Sequence, residues 1–188
     1  MNKVLFINAC LRRESRTLKI ADAVISNINR TIQKIDLYKE NIYPLDNHNL
    51  MLREKGALNN DFSDEYFSYA KDFKSADTIV IAAPYWDLSF PAILKTYFEN
   101  ICISGLTFTY DNEGKIISLC NAQKLIYITT AGGFIPEKNY AFDYVDALAK
   151  NFFNIKDTVF IKAEALDIYP EKVDEILDDV IKNIKSMI

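Results

Sequence analysis

The stretch IVIAAPYWDLSFPAILKTYFENI, residues 79–101, decides how this chain is read. Its first residues continue a run, TIVIAA at Thr78 to Ala83, that is apolar and rich in β-branched side chains. Such a run predicts a strand buried on both faces. From Pro91 to Ile103, the residues Ile93, Leu94, Tyr97, Phe98 and Ile101 recur at helical spacing and predict an amphipathic helix. Between them sits Pro84-Tyr85-Trp86-Asp87, which holds the only tryptophan of the chain. A bare connector is usually built from Gly, Asn and Ser. Two large aromatics and a carboxylate at the end of a buried strand point instead to a flat ligand resting there.

The same alternation extends in both directions. KVLFIN at residues 3–8 is a short buried strand, and Leu18, Ile20, Ala21, Val24, Ile25 and Ile28 mark a helix over Thr17 to Asn29. Ile32 to Leu37 alternates and predicts a second strand. Residues 40–62 are polar and irregular, an excursion with room for a short helix. A helix is expected over Ser63 to Lys74. Leu106 to Tyr110 and Ile116 to Leu119 flank Asp111-Asn112-Glu113-Gly114 and suggest a small hairpin. Lys124 to Thr129 is a fourth core strand, ended by Gly132-Gly133, followed by a helix over Phe142 to Phe153, a strand over Thr158 to Ala163 and a closing helix over Pro170 to Met187. This βα rhythm, with strands apolar throughout, means a parallel sheet with helices on both sides and right-handed crossovers. No internal boundary divides the chain, so residues 1–188 are expected to form a single domain.

Composition narrows the function. The chain has 188 residues, 49% of them apolar and 26% charged, so a sizeable core is expected. With a formal charge of −4 and no basic stripe, nucleic acid is not expected as a partner. No run approaches the about 18 apolar residues of a membrane span, and the first residues lack a signal-peptide pattern, so a cytoplasmic protein is expected. Three widely spaced cysteines, Cys10, Cys102 and Cys120, form no disulfide framework and are expected to be packing residues. The single histidine, His48, lies in a polar stretch, so neither a His/Cys metal cluster nor a Ser-His-Asp triad is expected.

In an open parallel sheet, ligands lie beyond the carboxyl ends of the strands, near the point where strand order reverses. Three loops fall there. ACLRRESRT lacks GxGxxG, yet Ser15, Arg16 and Thr17 at the mouth of a helix suit a phosphomonoester; plain N-capping is the alternative. TTAGGF carries Gly132 and Gly133, where backbone can approach a ligand closely or simply turn. Pro84 to Asp87 offers backbone N–H groups to the edge of a heterocycle and aromatic rings to its face, or packs in a core or dimer contact. Taken together, the loops favour a flavin mononucleotide site.

These residues resemble the flavodoxin-like NAD(P)H-dependent oxidoreductases, the branch that holds FMN-dependent NADH-azoreductases and NAD(P)H quinone reductases. The resemblance spans nearly the whole chain and rests on SRT at 15–17, APYWDLSFPAILK at 83–95, GLTF at 105–108 and TAGG at 130–133. It implies a flavodoxin-like three-layer sandwich, a five-stranded parallel sheet in the order 2-1-3-4-5. It also implies FMN as cofactor and NADH or NADPH as co-substrate. The acceptor would be a quinone, azo or nitroaromatic compound, and the assembly a homodimer. By resemblance, Ser15, Arg16 and Thr17 hold the phosphate, Pro84, Tyr85, Trp86, Asp87 and Leu88 lie along the isoalloxazine, and Thr130, Gly132 and Gly133 face its pyrimidine side. No side chain is expected to act as acid or base, since the flavin carries the chemistry. Asp87 stands where the azoreductase pattern has Asn, and Cys10 where it often has Ser. An ionised Asp87 only accepts hydrogen bonds and would disfavour an anionic reduced flavin; a buried, neutral one would not. A flavodoxin-type electron carrier and a flavin-free binding module of the same fold remain alternatives.

Overall fold

The computed structural model describes residues 3–188. Among the described residues there are seven strands: β1 (Lys3–Asn8), β2 (Thr31–Asp36), β3 (Thr78–Ala82), β4 (Phe108–Tyr110), β5 (Ile116–Ser118), β6 (Lys124–Thr130) and β7 (Asp157–Ala163). Five of them form one parallel sheet in the order β2-β1-β3-β6-β7. Counted along the chain without the small hairpin, that is the expected 2-1-3-4-5. The three central strands are apolar runs because both of their faces are covered. Leu5, Ile7, Ile79, Ile81, Leu125 and Tyr127 belong to one core, and Val4, Phe6, Val80, Ala82, Ile126 and Ile128 to the other. This is the period of two that a strand imposes, with both halves of the period apolar.

Six α-helices complete the described residues: α1 (Arg16–Ser26), α2 (Asn47–Asn59), α3 (Ser68–Ser75), α4 (Ala92–Ile101), α5 (Phe142–Phe152) and α6 (Val173–Met187). Helices α1 and α6 cover one face through Ile20, Ala21, Val24, Leu177 and Ile184. Helices α3, α4 and α5 cover the other through Phe73, Leu94, Tyr97, Phe98, Val145 and Ala149. Short 3-10 turns at Glu65–Phe67 and Pro170–Lys172 lead into α3 and α6, where unbroken helices were expected.

Two segments differ from the sequence expectation for identifiable reasons. The excursion at 40–62 contains α2, a helix of 13 residues capped by Asp46, whose carboxylate accepts from Asn49 N at 2.8 Å. Its only buried residue is Gly56, and Leu50, Met51 and Leu58 are exposed. With no apolar stripe, the helix has no periodic signal to read. It docks instead through Arg53, which donates to Tyr66 Oη and to the carbonyl of Glu99. Helix α4 ends at Ile101, two residues early, because the buried Thr107 hydroxyl donates to Ile101 O at 2.6 Å and accepts from Ile103 N at 3.1 Å. The GLTF segment therefore acts first as a helix stop. It then feeds the antiparallel pair β4–β5, joined through the turn at Asp111 to Gly114.

Candidate functional site

The chain runs from β1 outward to β2, then crosses back to place β3 on the other side of β1. Strand order reverses there, and a crevice opens above the carboxyl ends of β1, β3 and β6. A cavity of about 480 Å³ lies at this place. Its wall includes Ser15, Arg16, Thr17, Pro84, Tyr85, Trp86, Thr130 and Gly132 from the three loops singled out in the sequence. It also includes Cys10, Leu11, Arg12, Glu14, Ala131, Leu166 and Asp167.

One end of the cavity is an anion site in form. Ser15 is the N-cap of α1: its hydroxyl accepts from Leu18 N at 3.3 Å, and its carbonyl from Lys19 N at 3.0 Å. Capping and anion binding are not exclusive. The first-turn N–H groups of Arg16 and Thr17 have no carbonyl a turn earlier to receive them and point out of the helix end. The Arg12 and Arg16 side chains add positive charge. The Thr17 hydroxyl is engaged elsewhere. Thr17 is 1% exposed, and its Oγ1 lies 2.6 Å from Thr130 Oγ1, so two residues expected at opposite ends of the ligand bond to each other. Cys10 lies at the floor, its thiol 3.6 Å from the carbonyl of Ala82. Burial pushes that thiol up to about 11, against the smaller opposing effect of hydrogen bonds from Ser15 and Thr17, so it stays protonated and inert at neutral pH.

The other end is aromatic. Tyr85 N donates to Thr130 O at 3.0 Å, which ties the loop after β3 to the end of β6. The Tyr85 hydroxyl is buried with no hydrogen-bond partner among the described residues, and burial raises its pKa; the residue lines the cavity while also packing against the core. Trp86 is 36% exposed on the rim. It opens a tight turn in which Trp86 N donates to Ser89 O at 2.9 Å and Ser89 N to Trp86 O at 2.8 Å. The two residues inside the turn, Asp87 and Leu88, carry φ of 50° and 65°. They stand beyond the cavity wall, as does Gly133, whose neighbour Gly132 lines it.

The loop after β7 went unread in the sequence. Asp167 N donates to Gly132 O at 2.9 Å, Leu166 N to Ala131 O at 3.2 Å and Ala165 N to Gly133 O at 2.8 Å. A Cβ at Gly132 would overlap the Asp167 carboxylate. With Asp167 placed as it is, any Cβ at Gly132 would have to displace that exposed carboxylate. Among the described residues there is no group of three or more His, Cys, Asp or Glu that could hold a metal ion. No helix of the described residues is long and apolar enough to cross a membrane.

A cationic helix end, a polar floor and an aromatic wall in one cleft suit a ligand that is anionic at one end and flat at the other. The volume lies within the range of small-molecule sites, about 300–1,000 Å³. The fold defines a doubly wound α/β protein with a cleft at its switch point. The chain belongs to the flavodoxin-like fold family, which matches residues 2–188. It is 40% identical to the FMN-dependent NADH:quinone oxidoreductase of Clostridium beijerinckii, across 99% of this chain and 98% of that protein. It is 34% identical to the protein of the same name from Coprothermobacter proteolyticus, across 100% and 98%. An azoreductase structure from Bacillus anthracis superposes with a TM-score of 0.82 at 26% identity, covering 99% of this chain and 98% of that one.

Proposed function

We propose that this chain is an FMN-dependent oxidoreductase that takes hydride from NADH or NADPH and passes the reducing equivalents to a quinone, azo or nitroaromatic acceptor. The observation that carries the reading is the pairing, in one switch-point cavity, of the anion-binding start of α1 with the aromatic wall of Tyr85 and Trp86. The full-length likeness to quinone oxidoreductases supports the reaction class. When bound, FMN supplies the redox chemistry, which no side chain here provides. The chain binds and orients. The first-turn N–H groups and Ser15 take the phosphate, with Arg16 beside them, while Thr17 acts through its backbone. Pro84, Tyr85 and Trp86 set one side of the ring, and Thr130 and Gly132 the other. Asp87, Leu88 and Gly133 act through the backbone shape of the two loops.

The whole site lies within the single domain proposed for residues 1–188. A shallow groove between α4 and α5, lined by Phe98, Cys102, Tyr144, Leu148 and Phe152, supports pairing of two copies, which sedimentation would reveal. A reduced nicotinamide as donor, with three free thiols, supports a cytoplasmic setting.

The test uses FMN-loaded protein under anaerobic conditions. Addition of NADH is expected to bleach the flavin absorbance, and a quinone to restore it. Loaded flavin that nicotinamide leaves unbleached would point to an electron carrier, and failure to load FMN to a flavin-free module. Because Trp86 is the only tryptophan, its quenching by added FMN reports binding directly.

A further inference from the structure

The cavity wall includes a carboxylate of the wrong sign for the ligand it is built to take. Asp167, from the loop between β7 and α6, pairs with Arg16, Oδ1 to Nη1 at 2.9 Å. The position is built. The Asp167 backbone is strapped to Gly132, and Gly132 leaves the space its carboxylate fills. Ala165 adopts φ of 62° to bring the strap round. The second carboxylate of the wall, Glu14, has no ion pair among the described residues.

We propose that Asp167 is a specificity-determining residue that limits the anionic charge this site accepts, by holding a share of the Arg16 guanidinium and by repelling an incoming phosphate. This rests on the FMN reading above. The pair is too exposed for Asp167 to matter as a support for Arg16: the side chains are 42% and 73% accessible, and exposed pairs contribute little. Its charge is different. A phosphomonoester carries about −1.5 to −2 at neutral pH, and every other polar device at this end of the cavity, apart from Glu14, attracts it. Asp167 offsets part of that attraction. Arg16 has donors enough to bridge carboxylate and phosphate at once, so the site still binds a phosphate, with reduced force. A neutral ligand of the same shape does not feel the carboxylate.

The experiment measures FMN and riboflavin affinity by Trp86 quenching, for the wild type and Asp167→Asn, at low and high salt. Asn keeps the shape and removes the charge, and the exposed position makes it safe for folding. FMN binding is expected to tighten about three- to tenfold at low salt, with the gain shrinking at high salt and riboflavin unchanged. Unchanged or weaker FMN binding in the variant overturns the proposal, because Asp167 would then be idle or a support for Arg16. Equal gains for both flavins overturn it as well, since the effect would not be one of charge. Failure of the wild type to prefer FMN over riboflavin would sink the FMN reading itself, and this inference with it.

Discussion

Two tight turns on this protein reverse the chain by opposite means. The turn between β4 and β5 is built from residues its geometry favours. Asp111 Oδ1 accepts from Glu113 N at 2.9 Å and from Lys115 N at 2.8 Å, and the left-handed position, φ of 79°, is a glycine, Gly114. The turn at Trp86 to Ser89 needs two consecutive left-handed residues, the type I′ pattern that Asn-Gly fills best. It holds Asp87 and Leu88 instead. Aspartate tolerates that region, whereas leucine meets its Cβ against its own carbonyl. Neighbours hold the turn in place: Tyr140 N donates to Leu88 O at 3.2 Å, and Ser89 Oγ to Tyr140 O at 2.9 Å. No residue of the relaxed turn lines the candidate cavity. The strained one borders the proposed flavin wall, where backbone strain is commonly retained for a task.

This contrast can be tested, provided that the pH is kept out of the alkaline range, where the largest effect lies. The thiols of Cys10, Cys102 and Cys120 are raised by burial, to about 11, about 12 and about 12. The folded chain therefore holds protons that the unfolded chain gives up above about 8.5. The thiols' contribution to stability is constant below that pH and falls as pH rises toward the folded values, by up to about 1.4 kcal/mol per pH unit for each thiol. Urea unfolding at pH 7.5 and pH 10 measures it, and an unchanged midpoint would mean that the thiols are not buried as described.

At neutral pH, Gly114→Ala should cost about 1–2 kcal/mol. A Cβ there meets nothing within 4 Å, so the loss would be that of backbone conformation alone. Asp111→Ala comes next, at about 1 kcal/mol for the two hydrogen bonds lost at one acceptor oxygen, and neither variant should alter FMN affinity. Leu88→Gly should give the smallest change and the most informative one. Relief of the left-handed strain exceeds the entropy that glycine adds to the unfolded chain, for a net gain below about 1 kcal/mol. FMN binding should weaken at the same time, because a freer turn no longer holds Trp86 in place. A variant of Leu88 that loses stability, or gains it with FMN affinity intact, would remove the distinction between the two turns.

The same contrast explains what could be read from the sequence. The sheet was legible because β1, β3 and β6 are apolar on both faces, and α1, α4, α5 and α6 carry clear stripes. The hairpin turn was legible because Asp111 and Gly114 obey local rules. In the cavity, the start of α1, the aromatic loop and Gly132 were found from their loops. The inner bonding was not: Thr17 looks like a phosphate ligand until Thr130, 113 residues away, is seen to face it. Leu166 and Asp167 left no pattern, since their place depends on a backbone strap to a distant glycine. The left-handed turn at Asp87 and Leu88 goes against the preference of Leu88, so no propensity could have announced it. A short helix was allowed for within 40–62, but the bounds of α2 could not be read, because it lacks an apolar stripe.

The bond between Thr17 and Thr130 has a consequence for recognition. It joins the first turn of α1 to the last residue of β6, so the walls that would face the two ends of a ligand are already at fixed separation. A cleft set in this way asks little ordering of the protein when a ligand enters, and that saves affinity. It also makes the cleft a gauge of length: a molecule whose anionic group stands one or two atoms nearer to its ring, or farther from it, would find one end matched and the other missed.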